Sequence, residues 1–295
     1  MIVDCCTHLW TTAEQLGAGA EAYLRRGAAP DVSASPSAHA EATRCVDKTL
    51  VFAFRSALLG AEVPNDLVAE HVSRDGGRRV GIAAVDPTQG DALSEAESLL
   101  DRKEFRGLTV SPALQGFHPA DSRAMALYEM AAARGAPVFV CSGPGFPLLG
   151  HLEYARTALL DEVAREFPTL TLVIAALGLP YVEECLALLA KHGRVFAHVG
   201  GLVGRPWQTY NALVLANEFQ VADKVLFGSG FPLVAPAAAI EGLYRLHEMT
   251  QGTNLPSVPR EVMRSIVERD ALGLLGIARA GEAPPPRPLA DEEEA

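Results

Sequence analysis

Leu172-Val173-Ile174-Ala175-Ala176 and, earlier in the chain, Leu50-Val51-Phe52-Ala53-Phe54 are unbroken apolar runs with no polar residue at alternate positions. A strand with one wet face alternates apolar and polar side chains, so a continuous run predicts a strand covered on both faces. Further short, β-rich segments recur near residues 2–6, 79–85, 106–111, 137–141, 194–198 and 224–228, with helix-sized stretches between them. Eight strands alternating with helices predict a parallel sheet that closes on itself, an α/β fold of the (β/α)8 barrel type. The chain has 295 residues, 49% of them hydrophobic. That is enough for one such barrel, which typically takes about 250 residues.

The formal net charge is −11. A negative surface without a basic cluster repels phosphate backbones and anionic headgroups, which argues against nucleic-acid and membrane-surface partners. No apolar run is long enough to span a bilayer and no charged-then-apolar leader opens the chain, so a cytoplasmic location is expected. Five cysteines, an odd number, read as free thiols. Cys45 and Cys185 are expected as buried packing residues on helices. After the first strand, residues 11–39 hold Gly17, Gly19, Gly27, Pro30 and Pro36 among small residues, which predicts a loop insertion over the barrel mouth. The barrel is expected over residues 1–279. The Pro-rich, acidic stretch 280–295 is expected as a disordered tail, since it lacks the apolar residues that offset ordering entropy.

Four motifs sit at the ends of predicted strands. They are Asp4-Cys5-Cys6-Thr7-His8; Val138-Phe139-Val140-Cys141-Ser142-Gly143; Phe167-Pro168-Thr169-Leu170 with Ala175-Ala176-Leu177-Gly178; and Phe227-Gly228-Ser229-Gly230-Phe231-Pro232. In this order they resemble the amidohydrolase-related superfamily, in the branch that includes aminocarboxymuconate-semialdehyde decarboxylase and related metal-dependent hydrolases. That resemblance implies a TIM barrel with a divalent ion at its mouth, held by Asp-x-His-x-His on strand one, histidines on strands five and six, and an aspartate on strand eight. Here Cys6 replaces the first histidine and only His8 remains of the pair. Cys141, Ala176 and Gly230 stand at the other three positions. An alanine methyl and a bare glycine offer no ligand atom, so the usual metal is expected to be lost at Ala176 and Gly230.

Cys6, His8 and Cys141 survive as candidate metal ligands, a soft set that suits zinc, and His198 at the end of strand seven is a candidate fourth. Two other readings stand beside this one. Cysteine also packs as a small hydrophobe, so Cys6 and Cys141 read equally as fillers. A thiol nucleophile paired with a histidine makes His8, Cys141 and His198 catalytic candidates. Ligand-binding candidates are Arg55 after strand two, for a carboxylate; Thr109 and Ser111 on one face of strand four; His118 in the following loop; and Trp10 as an aromatic wall. His39, His71, His151, His192 and His247 are expected to be solvated or capping, and Asp66 and Asp86 to shape helix starts and turns.

The first functional expectation is a divergent barrel without the usual metal, a pseudoenzyme with no cofactor that binds a small molecule or a partner at its mouth. The alternative is an active hydrolase or decarboxylase of small carboxylated or lactone substrates using a rebuilt Cys/His site, with zinc as cofactor. A homodimer, or pairing with an intact homologue, is the expectation suggested by dimeric relatives.

Overall fold

The barrel strands alternate their side chains between two apolar environments, and this alternation explains the continuous apolar runs. Leu50 and Phe52 point into the barrel, while Val51 between them faces the helices. Likewise Val173 fills the interior, and Leu172 and Ile174 pack outward. The computed structural model describes residues 1–20, 34–141 and 147–277. The expected 280–295 tail therefore lies outside the described residues, as does the middle of the insertion after the first strand.

Strands β1 (Val3–His8), β2 (Lys48–Phe52), β5 (Arg79–Ala84), β6 (Phe105–Val110), β7 (Val138–Val140), β8 (Leu172–Ile174), β9 (Val195–His198) and β10 (Val225–Leu226) pair in sequence order, all parallel. The last gap closes through backbone bonds: Cys5 N–H to Phe227 O at 3.0 Å, Gly230 N–H to Cys6 O at 2.8 Å and His8 N–H to Phe231 O at 2.9 Å. The predicted eight-stranded barrel is thus the observed fold. A small hairpin, β3 (Phe54–Ser56) with β4 (Ala61–Val63), follows β2 and extends the rim. It was not foreseen, because two three-residue strands carry too little periodicity to read.

Val3, Cys5, Leu50, Phe52, Ile82, Phe139, Val173, Phe196 and Leu226 fill the barrel interior, closed at the bottom by Leu272 and Leu275 of the C-terminal turn. Phe52 and Phe139 meet edge to face, their centroids 5.0 Å apart. Each buried phenyl ring is worth about 1.5–3 kcal/mol of transfer free energy. Pairing of β1 with β2 shifts register between Asp4 and Thr7. An extra residue in a strand reverses which side chains face inward. Val3 and Cys5 therefore fill the bottom of the barrel, whereas Cys6 and His8 reach the mouth.

Two of the five histidines expected to be solvated or capping, His39 and His71, are instead buried. Thr7 donates to Leu50 O at 2.7 Å, so its hydroxyl oxygen is left to accept from His39 Nε2 at 2.9 Å. His39 Nδ1 then accepts from His71 Nε2 at 3.0 Å. This relay ties the helix Pro36–Ala42 and the helix Asn65–Ser73 to the back of β1. Sequence patterning cannot show such pairing, because its partners lie 32 residues apart. Cys45 is also corrected: it lies exposed at the end of a short turn, Thr43–Cys45, while Cys185 is buried as expected. His151, His192 and His247 do engage surface partners: Tyr154 by ring stacking, Asp161 at 2.7 Å and Arg260 at 2.9 Å respectively.

Candidate functional site

A cavity of about 420 Å³ opens at the carboxyl ends of the strands. This is where (β/α)8 barrels place their sites, since the βα loops gather there. Its wall is mainly apolar, with Trp10, Phe52, Phe54, Leu114, Leu179 and Leu233 among the lining residues. Leu16 of the Ala13–Gly19 turn joins them, so the described start of the insertion does cover the mouth. Polar side chains are few: Cys6, His8, Thr109, Cys141, His198, Arg205 and Gln208.

The structure brings together most of the residues singled out in the sequence. Cys6, His8, Cys141, His198, Thr109 and Trp10 all line the cavity, as do Ala176 and Gly230. Cys6 Sγ lies 3.6 Å from His8 Nε2, and Thr109 Oγ1 lies 3.4 Å from Cys141 Sγ. Burial pushes the Cys6 thiol well above its ordinary range, with the neighbouring Cys141 and Asp4 adding to the effect. Burial also pushes Cys141 up to about 11, and drives His8 down to about 4. Both shifts favour the uncharged thiol and imidazole.

Three candidates lie elsewhere. Arg55 is held by Glu95, with both carboxylate oxygens within 2.9 Å of one guanidinium nitrogen, and does not line the cavity. Its charge is already matched within the fold. Ser111 is buried and donates to the Cys141 carbonyl, locking β6 to β7 at their ends. His118 is exposed, accepts from Ala120 N–H at 3.1 Å and meets the edge of Tyr154. Asp86 takes the structural part expected of it, accepting from Thr88 and from Ala57 N–H at 2.8 Å.

His198 shows the sharpest geometry. Its Nδ1 accepts from Gly200 N–H at 3.0 Å, so the neutral ring carries its proton on Nε2. His198 lines the cavity, and its Nε2 is buried with no hydrogen-bond partner among the described residues. Burial, reinforced by His8, lowers the His198 pKa to about 3 and keeps the ring neutral. Beyond it, the Gly200-to-Gly204 segment leads into Arg205 and the helix Pro206–Glu218. Arg205 and Gln208 were not singled out in the sequence. The available signal was a glycine-rich strand-to-helix loop ending in Arg-Pro, with proline at the first helical position.

Beside His198, after the two strands that flank β9, the backbone itself is unusual. Ala176 and Leu177 adopt φ of 51° and 49°, directly after β8. Left-handed non-glycine residues each cost about 1–3 kcal/mol and persist only where surrounding structure enforces them. Gly230 has φ of 76°, and a Cβ there would sit 2.4 Å from Gly201 N. Gly200 meets Cys6 as closely: an added Cβ would lie 2.6 Å from the Cys6 Cβ. The Cys6 side chain thus occupies space that β9 and β10 leave free only by having glycine there.

A parallel eight-stranded barrel with a ligand-sized cavity at its C-terminal mouth defines the (β/α)8 barrel class. Within it the chain belongs to the amidohydrolase family, whose sequence model matches residues 3–277. Comparison with curated proteins gives no match. Among solved structures the fold is similar to an uncharacterized TIM-barrel protein from Bordetella bronchiseptica, with a TM-score of 0.70 and 19% identity over 93% of this chain and 98% of that one. It is also similar to a dihydroxybenzoic acid decarboxylase from Polaromonas sp. JS666 solved with bound manganese and the inhibitor 2-nitroresorcinol (TM-score 0.64, 15% identity, 95% and 98% covered). A third is a probable 2-pyrone-4,6-dicarboxylic acid hydrolase from Acinetobacter baumannii with citric acid bound (TM-score 0.59, 15% identity, 93% and 99% covered).

Proposed function

We propose that this protein is a metal-independent member of the amidohydrolase family whose barrel mouth binds a small, mostly apolar molecule. The observation that carries the reading is the cavity of about 420 Å³, within the size range of small-molecule sites, whose apolar wall surrounds a few convergent polar atoms.

The residues at the mouth do not fit the divalent ion of metal-dependent relatives such as the manganese-bearing decarboxylase. Ala176 offers a methyl group, and Gly230 lies so close to Gly201 that no side chain fits. His198 presents an N–H instead of a lone pair, because Gly200 occupies its other nitrogen. Among the described residues no three His, Cys, Asp or Glu side chains converge as a ligand set. A hydrolase or decarboxylase working through a Cys–His pair is the second reading, favoured by the 3.6 Å approach of Cys6 Sγ to His8 Nε2. Against it, an activated thiol needs a lowered pKa, and burial moves both groups toward their neutral forms.

Elemental analysis of protein purified without chelator tests the metal-free part, with thermal-shift titration of small aromatic and aliphatic acids, esters and ketones testing the binding part. No bound metal together with saturable stabilisation by at least one compound is expected. Stoichiometric zinc or manganese that disappears on Cys6→Ser/Cys141→Ser substitution would overturn the reading.

A further inference from the structure

The cavity has a polarity that narrows what it can hold. Its single charged lining residue among those described is Arg205, at the start of the helix Pro206–Glu218. Arg205 donates to Gln208 Oε1 at 3.0 Å, and among the described residues no carboxylate lies within ion-pairing distance of it. It is only half-buried, whereas His198 is 1% exposed. The cation therefore stands on the solvent side, and the unpaired donor stands deep in the barrel. No Asp or Glu lines the cavity among the described residues.

An unmatched buried N–H loses its hydration without compensation, and a ligand oxygen that accepts from it restores the bond. A carboxylate at that depth would lose its hydration with no cation to repay it, and desolvating an unpaired charge costs far more than desolvating a carbonyl. The geometry points to a monoanionic ligand with an apolar body, bound with an uncharged carbonyl oxygen inward on His198 Nε2 and its carboxylate outward on Arg205. This rests on the small-molecule reading above and adds the orientation and the chemical class. His198 is then the residue that selects carbonyl over carboxylate at the deep end, and Arg205 the residue that retains the charge at the mouth.

Isostere-matched probes test it by calorimetric titration: para-acetylbenzoate, para-isopropylbenzoate, terephthalate and neutral para-isopropylacetophenone. On the unaltered protein para-acetylbenzoate is expected to bind about fivefold tighter than para-isopropylbenzoate, the ratio for one neutral hydrogen bond. Terephthalate is expected to be the weakest of the three acids. In His198→Asn the side-chain oxygen takes the place of Nδ1 toward Gly200 while the deep donor is lost. The preference for para-acetylbenzoate over para-isopropylbenzoate should then vanish. Arg205→Gln should weaken the benzoates by a larger factor than the neutral ketone. Equal binding of the acetyl and isopropyl acids, or tightest binding of terephthalate, would overturn the orientation while leaving small-molecule binding intact. Failure of all four probes to bind would overturn this ligand class and orientation, while the small-molecule reading is decided by the broader thermal-shift series. The series on the unaltered protein decides the matter even where a variant fails to fold.

Discussion

The backbone nitrogen of Gly201 stands 2.4 Å from where a Cβ on Gly230 would sit, so the ends of β9 and β10 are held together by the absence of a side chain. Gly230 also has φ of 76°, a conformation that costs an L-residue about 1–2 kcal/mol. Gly230→Asp would place a carboxylate where the strand-end motif's resemblance implies a metal-binding aspartate, yet it must force these strands apart. Strain and overpacking together are expected to cost about 3 kcal/mol. The variant should melt earlier and bind no metal, as read by calorimetry and elemental analysis. A stable Gly230→Asp protein that takes up manganese would show that the mouth needs only its missing ligand.

The His71–His39–Thr7 relay predicts acid lability. Burial first, then His71 and Arg79, lowers the His39 pKa to about 2, and burial with Arg79 and Arg74 lowers that of His71 to about 4. Asp75 faces Arg79 from the same side at 3.2 Å and only partly offsets its charge. Unfolded histidine titrates near 6.5. The stability from these two neutral rings is therefore complete above about pH 6.5 and lost as pH falls, because the unfolded chain takes up protons that the folded chain refuses. Two protons correspond to about 3 kcal/mol per pH unit between about pH 6 and the folded His71 value of about 4. Asp4 opposes this with one proton, since burial raises its pKa to about 6 and its folded form gains stability as pH drops through that value. A net loss should remain, seen as a lower urea midpoint at about pH 5 than at pH 7. His71→Gln, which can keep the donor to His39, should flatten the slope by about one proton. A midpoint that rises on acidification would contradict the assignment.

Arg55 and Glu95 show how a residue read as a ligand clamp serves the scaffold instead. Glu95, on the helix Ala92–Asp101, meets Arg55 with both oxygens, and their side chains are 25% and 35% exposed. Such a half-exposed pair is worth about 1 kcal/mol. Arg55→Gln should lower the urea midpoint modestly and leave probe affinities unchanged. A large loss of acid binding in Arg55→Gln with normal stability would return Arg55 to the site.

The barrel was legible because its evidence is local: runs such as Leu172–Ile174 state their burial by composition, and strand-end motifs state their order. Cys6, His8, Cys141, Thr109, Trp10 and His198 were legible as mouth residues for a similar reason, since each lies near or just past the carboxyl end of a strand. Arg55 and Ser111 also lie just past strand ends, and His118 in the loop beyond β6, but they are turned to Glu95, the Cys141 carbonyl and the Ala120 amide. Which way Arg55 and Ser111 turn depends on partners 40 and 30 residues away, and no local pattern encodes it. The Nδ1–Gly200 bond that fixes the His198 tautomer spans only two residues, yet it exists because the loop after β9 folds back on the ring. The register shift in β1 that sends Cys6 to the mouth is invisible to periodicity, which by itself places Cys5 and Cys6 on opposite faces.

Thiol reactivity separates a filler from a nucleophile at Cys6 and Cys141. Cys45 is exposed, Cys141 is half-buried at the cavity wall, and Cys5, Cys6 and Cys185 are buried. With burial raising the pKa of Cys141 to about 11 and that of Cys6 well above the ordinary thiol value, neither holds an appreciable thiolate fraction at neutral pH. Iodoacetamide at about pH 7 should therefore label Cys45 first, Cys141 far more slowly and Cys6 only on unfolding, as mapped by peptide mass spectrometry over time. Cys45→Ser should remove the fast phase entirely. A cavity ligand should slow Cys141 labelling further by shielding it, without changing the rate at Cys45. Labelling of Cys6 or Cys141 ahead of Cys45, persisting at about pH 6 where an ordinary thiol is almost wholly protonated, would instead reveal a stabilised thiolate and establish a nucleophile in the mouth.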